Sequence, residues 1–178
     1  MSARAFFITG IDLRMVMERI AVFPGSFDPV TVGHELLIRR ALPLFDRIIV
    51  GVGENGEKKA WFSVAERLTL LRKLFVSETK VEVASYTGLT ADFCRERGAR
   101  YVLRGVRNAA DFEYEKTIAL VNKRLYPELE SVFLCAEADV SFVQSSVVRD
   151  LLKHGKSVAG MLPDAVAEAV VRMVAEKR

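Results

Sequence analysis

Cysteine and histidine are both scarce, with two of each among 178 residues. Cys94 and Cys135 lie in apolar patterns, and neither stands at metal-ligand spacing from another cysteine or from a histidine. That excludes a Cys/His metal site; two buried, reduced thiols are expected, which fits a reducing cytoplasm. Charge of one sign is also lacking. The formal net charge is only +3, without a block of lysines or arginines and without basic residues interleaved with aromatics. A nucleic-acid binder is therefore not expected. Long hydrophobic runs are missing too. The apolar stretch Ala5 to Ile11 is broken at once by Asp12 and Arg14, too short to span a membrane. It has no small-residue cleavage site of a secretory leader behind it. Internal repeats and low-complexity linkers are absent.

What remains is a chain with 51% hydrophobic and 28% charged residues, the composition of one globular domain. Residues 17–178 are read as that domain. Residues 1–16 are read as an N-terminal extension, either a start codon assigned too far upstream or a native segment covering a surface groove. Along the domain, strand and helix patterns alternate. Strands are expected at Arg19–Phe23, Arg47–Val52, Lys80–Ala84, Tyr101–Leu103 and Ser131–Cys135. Helices are expected at Gly33–Phe45, from the capping box Ser63-Val-Ala-Glu66 to about Val76, and at Leu89–Arg97 before Gly98. Three more follow: Asp111–Tyr126 stopped by Pro127, Ser145–His154 stopped by Gly155, and a last one from Pro163 to Glu176. The fold class is α/β, a Rossmann-like doubly wound sheet of five parallel strands with C-terminal helices. Ligands of such sheets bind beyond the carboxyl ends of the strands.

The residues suited to chemistry gather at those ends. Phe23-Pro-Gly-Ser-Phe-Asp-Pro-Val-Thr-Val-Gly-His34 joins the first strand to the first helix. Such a turn offers backbone N–H groups and the positive end of a helix dipole to an anion, and His34 adds a side-chain donor. Lys58-Lys59 lies in the polar loop after the second strand, either a solvated pair or a phosphate ligand. Arg104-Gly-Val-Arg107 follows the fourth strand, and two arginines there can grip phosphates from two directions. Asp111-Phe-Glu-Tyr-Glu115 opens a helix, where acidic residues also simply compensate the dipole. Val140-Ser-Phe-Val-Gln-Ser-Ser146 leads into another helix, where serines cap by default. Tyr114 reads as packing, and His154 as a helix C-cap.

The run Phe23 to His34, with Thr31-x-Gly33-His34 at its end, resembles the T/H-x-G-H signature of the nucleotidyltransferase superfamily. With threonine in the first slot, the Arg104–Glu115 block and Pro127-Glu-Leu-Glu-Ser-Val-Phe133, the chain is most similar to the phosphopantetheine adenylyltransferase family. The resemblance spans Met17 to about Lys177. It implies transfer of the adenylyl group of ATP to 4′-phosphopantetheine, giving dephospho-coenzyme A and pyrophosphate. It further implies His34 as the transition-state stabiliser. Ser26, Phe27, His34, Gly105, Val106, Arg107, Glu115 and the segment Val140, Ser141, Phe142, Val143, Gln144, Ser145 and Ser146 fall to ATP. Ser26, Lys58, Thr90 and Arg104 fall to the phosphopantetheine substrate. Gln144 stands where serine is usual, and Gly88-Leu89-Thr90 departs from the acidic-Leu pattern of the family. Magnesium is implied on the substrate phosphates and not on protein side chains, as are feedback by coenzyme A, a cytoplasmic location and a homohexamer. The chemistry asks for no general base, because the attacking phosphate oxygen is already anionic; cations and donors suffice.

Overall fold

In the computed structural model, which describes residues 17–54 and 60–177, five strands lie side by side in the order β3-β2-β1-β4-β5. They are β1 (Ile20–Gly25), β2 (Arg47–Glu54), β3 (Val81–Thr87), β4 (Tyr101–Val106) and β5 (Glu130–Cys135). Every pairing is parallel. The helices are α1 (Val32–Ala41), α2 (Val64–Leu74), α3 (Thr90–Glu96), α4 (Ala109–Leu125), α5 (Ser145–Lys153) and α6 (Asp164–Ala175). The proposed N-terminal extension and Lys58 lie outside the described residues.

Neighbouring residues on a strand face opposite sides of the sheet, and the core divides accordingly. Ala21, Phe23, Ile48, Val50 and Leu103 pack with α1, α2, α5 and α6. Their neighbours Ile20, Val22, Ile49 and Val102 pack with Ala91, Phe93 and Cys94 of α3. A sheet covered on both faces needs near-continuous apolar strands, as Arg47–Val52 foreshadows.

Strands run further than their apolar residues. Past Ala84, β3 continues as Ser85, Tyr86 and Thr87 because each still pairs with β2, opposite Val52, Gly53 and Glu54. For the same reason β4 carries Arg104, Gly105 and Val106 against Phe133, Leu134 and Cys135, so those residues belong to the strand and not to a loop after it. Helix α1 is shorter than expected. It ends at Ala41, with Leu42 as a still-helical cap, because Pro43 has no N–H to donate back into the helix.

Local signals behave as their chemistry requires. Ser63 N donates to Glu66 Oε2 at 2.7 Å, and Glu66 N donates to Ser63 Oγ at 3.2 Å, closing the capping box of α2. Gly98 adopts φ +64° just past α3, a conformation that glycine takes without strain. His154 caps α5, its Nδ1 2.8 Å from Asp150 O. Two expectations fail. Cys135 is exposed, because it ends an edge strand, whereas Cys94 is buried and its thiol pKa is pushed up to about 12. Tyr114 is 66% exposed, because α4 buries only Glu115 and Asn122, and it borders a cavity at the end of the sheet.

Leu71 is wholly buried between α2 and the sheet. Leu71→Ala is expected to lower the unfolding free energy by about 2–5 kcal/mol, read from urea denaturation.

Candidate active site

The sheet changes winding direction between β1 and β4, where ligands of doubly wound folds bind. These two strands pair only at Ala21–Tyr101 and Val22–Val102, then diverge. Arg104 fills the gap: its Nη1 donates to Pro24 O at 2.8 Å. Its Nε donates to Glu115 Oε2 at 2.7 Å, and Nη2 meets the other carboxylate oxygen. Glu115 is thereby held, nearly buried, as one half of a bidentate ion pair.

Two cavities open on either side of this pair, and both are lined by Pro24, Gly25, Ser26, Arg104 and Glu115. The smaller, about 310 Å³, reaches Thr31, Gly33 and His34 at the start of α1. Gly105 and Arg107 of the β4 end, with Val140, Val143, Gln144 and Ser145 before and at the start of α5, complete it. The larger, about 630 Å³, lies between the ends of β2 and β3 and the flank of α4. Its walls mix apolar Leu89, Val102, Ile118 and Ala119 with polar Thr90, Asn122 and Ser131.

His34 is the third residue of α1, and its ring turns back on the residue before the helix. Thr31 N donates to His34 Nδ1 at 3.0 Å, and the Thr31 hydroxyl oxygen lies 2.9 Å from the same nitrogen. A nitrogen that accepts a backbone N–H carries no proton of its own, so in the neutral ring the proton sits on Nε2. Burial, and then the positive charges of Arg107 and Arg104, lower the His34 pKa from 6.5 to about 4. At neutral pH the ring is therefore an uncharged N–H donor. Phe27 packs edge-on against it, with centroids 5.1 Å apart.

Arg107 is oriented by Asp111: its Nε donates to Asp111 Oδ2 at 2.7 Å and its Nη2 to Oδ1 at 3.2 Å. The hydrogen bond from Arg107 and its charge hold the Asp111 carboxyl below its ordinary pKa. Asp111 thus serves an arginine as well as a helix start. Gly105 has a packing reason beside the close ligand approach expected of it. A Cβ there would stand 2.3 Å from Leu37 Cδ1, so a larger residue would require the Leu37 side chain to change rotamer.

Several expected contacts do not reach the cavity walls. Phe27 is 1% exposed, its ring packed over Gly25 and His34, and it lines neither cavity. Val106, Ser141, Phe142 and Ser146 line neither cavity. The Ser141 hydroxyl donates to Ala138 O at 2.9 Å, and Phe142 is 61% exposed to solvent. Ser145 does line the smaller cavity, but its hydroxyl donates to Pro29 O at 2.8 Å. What α5 offers a ligand is thus its uncapped N-terminal amides. Thr90 lines the larger cavity with its hydroxyl 2.9 Å from the Tyr86 hydroxyl.

Residues unremarked in the sequence support the turn between β1 and α1. Asp28, 5% exposed, accepts the N–H groups of Trp61 at 2.9 Å and Phe62 at 2.8 Å. Arg149 Nη1 donates to Asp28 O at 2.5 Å. The Phe-Asp-Pro triplet was a signal for Asp28; nothing local points to Arg149. Among the described residues no cluster of three or more Asp, Glu, His or Cys could hold a metal ion, and no helix is long and apolar enough to cross a membrane.

His34 generates a pH expectation. The folded ring resists protonation, so the unfolded chain takes up the proton first as pH falls. The ring's contribution to stability is complete at neutral pH and is lost between about 6.5 and 4. Imidazole nitrogen NMR on the unliganded protein should show the Nε2–H tautomer at pH 7 and half-titration of His34 near pH 4. Half-titration near 6.5 contradicts the partly buried, cation-flanked ring.

Similarity to known proteins agrees with this geometry. The cytidylyltransferase-like family model matches residues 22–151. The phosphopantetheine adenylyltransferase of Leptospira biflexa is 46% identical over 156 residues, covering 88% of this chain and 98% of that protein. That of Flavobacterium johnsoniae is 50% identical over 148 residues, covering 83% and 97%. Among solved structures, a bifunctional NMN adenylyltransferase/ADP ribose pyrophosphatase from Francisella tularensis aligns with a TM-score of 0.66. It is 16% identical, over 90% of this chain but only 49% of that one, a likeness of fold. With most of β1, all of α1 and the β4–α4 junction inside the matched span, and nearly the full length of the curated relatives covered, the chain belongs to the cytidylyltransferase-like family and, within it, to the phosphopantetheine adenylyltransferases.

Proposed function

We infer that this protein transfers the adenylyl group of ATP to 4′-phosphopantetheine, releasing pyrophosphate and dephospho-coenzyme A. One observation carries the reading at the site: two cavities that share a single wall, with a neutral imidazole N–H at the inner end of the smaller. ATP belongs in the smaller. There Ser26, His34, Gly105, Arg107, Glu115, Val140, Val143, Gln144 and Ser145 surround it, and Phe27 would contribute its backbone N–H. Phosphopantetheine belongs in the larger, whose apolar walls beside Asn122 and Ser131 suit a long arm with amide groups. Ser26, Thr90 and Arg104 would hold that substrate, with Lys58 approaching its phosphate.

The chemistry is in-line attack of a phosphopantetheine phosphate oxygen on the α-phosphorus of ATP. A bond forms from that oxygen, and the bond to the bridging oxygen of pyrophosphate breaks. No proton need be removed. The protein holds two anions together and meets the charge that grows on the α-phosphate and the departing pyrophosphate. His34 donates Nε2–H to the α-phosphate. Being uncharged, it favours no ground-state anion strongly and gains most as charge develops, which raises kcat more than ATP affinity. Arg107, held by Asp111, and the amides of α5 meet the remaining phosphates. The carboxylates nearest the smaller cavity, Glu115 and Asp111, are engaged by arginines. Magnesium therefore enters with ATP, held by phosphate oxygens and water.

The test is dephospho-coenzyme A formation from ATP and phosphopantetheine, followed by pyrophosphate release. His34→Ala should lower kcat about 10²–10³-fold while the KM for ATP changes little. A wild type that prefers another phosphate acceptor, such as nicotinate mononucleotide, contradicts the reading. Coenzyme A, which contains both the pantetheine arm and the adenylate, fits the same two cavities and would act as a feedback ligand. Its two free cysteines, Cys94 and Cys135, support a cytoplasmic location.

Assembly as a homohexamer is part of the same proposal. Helix α4 exposes Leu120 at 65%, Val121 at 52% and Leu125 at 41%, an apolar face suited to a second copy. Sedimentation should give a mass six times that of one 19.9 kDa chain. Leu120→Glu should dissociate the assembly, and a monomeric wild type contradicts it.

A further inference from the structure

Arg67 is the most unusual cation in the fold. It lies in the first turn of α2, 5% exposed, and pairs with no carboxylate among the described residues. Its hydrogen bonds go to two backbone carbonyls: Nε to Ser63 O at 3.4 Å and Nη1 to Ser26 O at 2.8 Å. A buried guanidinium without a counter-ion is costly, and carbonyl dipoles compensate only part of that cost. Its second acceptor is the carbonyl of Ser26, one of the five residues that line both cavities.

The peptide gripped in this way joins Ser26 to Phe27. In a trans peptide the C=O and the N–H point to opposite sides. With Ser26 O turned to Arg67, the N–H of Phe27 is turned away from α2. That N–H has no acceptor among the described residues. Phe27 also adopts φ +47°, a left-handed conformation that a bulky residue holds only where its surroundings compel it. Beyond Phe27 the chain is secured by Arg149 on Asp28 O and by Ser145 on Pro29 O. Before Phe27, Arg67 is the only side chain among the described residues to grip the Ser26 carbonyl.

We propose that Arg67 is a positioning residue that acts through the Ser26 carbonyl, fixing and polarising the Ser26–Phe27 peptide so that the Phe27 N–H donates to an ATP phosphate oxygen. The proposal rests on the adenylyl-transfer reading for the identity of that oxygen. A cation on the carbonyl end draws electron density from the amide and makes its N–H a stronger donor. The donor is aimed before the substrate arrives, so its orientation costs nothing during reaction. Arg67 itself touches no substrate.

Arg67→Met keeps the length of the side chain and removes charge and donors; Arg67→Lys keeps the charge but not the fork. R67M should lower kcat about 10²-fold and leave the KM for phosphopantetheine within about twofold. R67K should fall between R67M and the wild type. Nitrogen–proton NMR supplies the readout that general destabilisation would not move. The Phe27 amide proton should shift downfield when ATP alone is added to the wild type, and that shift should vanish in R67M. Turnover of R67M at the wild-type rate overturns the proposal, as does a loss confined to the KM for phosphopantetheine. If R67M does not fold, the wild-type Phe27 amide decides: unmoved by ATP, it overturns the proposal. A wild type that makes no dephospho-coenzyme A removes the adenylyl-transfer reading, while the response of the Phe27 amide to ATP still decides the role of Arg67.

Discussion

The carboxylate of Asp28 is the point on which the site hangs. A buried charge of this kind is tolerated only when its oxygens are satisfied, and here both accept backbone N–H groups from Trp61 and Phe62. The turn after β1 is thereby tied to the segment that leads into α2. Arg149 of α5 joins the same residue through its carbonyl, and Ser145 takes the next one. Two segments far apart in the chain thus meet on the consecutive residues Asp28 and Pro29. That junction lets a left-handed Phe27 persist and sets where α1, and with it His34, begins.

Against this rigid turn the charges are arranged by partnership. Arg104 is gripped by Glu115, and Arg107 by Asp111, so neither guanidinium wanders. A pair that is already oriented meets a phosphate with less entropy to lose than a free lysine on the surface. The state of His34 follows from its place. Burial keeps the ring neutral, and the two arginines add to the cost of a third positive charge. A histidine near two arginines is thus a hydrogen-bond donor at neutral pH and not an acid. That suits a reaction in which charge, and not a proton, has to be managed.

Much of the fold was legible, for reasons that can be named. Apolar runs of four to six residues separated by helical patterns specify a parallel sheet, and Ser63 with Glu66, Gly98 and Gly155 punctuate it as their chemistry requires. The misjudged ends are equally instructive. β3 and β4 outlast their apolar residues because ladder hydrogen bonds depend on the neighbouring strand and not on side-chain hydropathy. Pro43 was a visible stop for α1 that the apolar pattern across it obscured. Cys135 and Tyr114 read as interior from local pattern, yet an edge strand and a sparsely covered helix leave them in solvent.

In the site, the residue types and their order belong to the chain alone: a glycine-rich turn ending at His34, then Arg104 to Arg107, then the serines before α5. These are local spacings, and short-range stereochemistry reads them without knowing the fold. Which carboxylate holds which arginine, that Gly105 lies against the Leu37 side chain, and that Arg67 donates to a peptide carbonyl forty-one positions away were decided by tertiary structure. Each of those is a contact between segments whose meeting depends on the winding of the sheet, and no spacing along the chain encodes a distance across it.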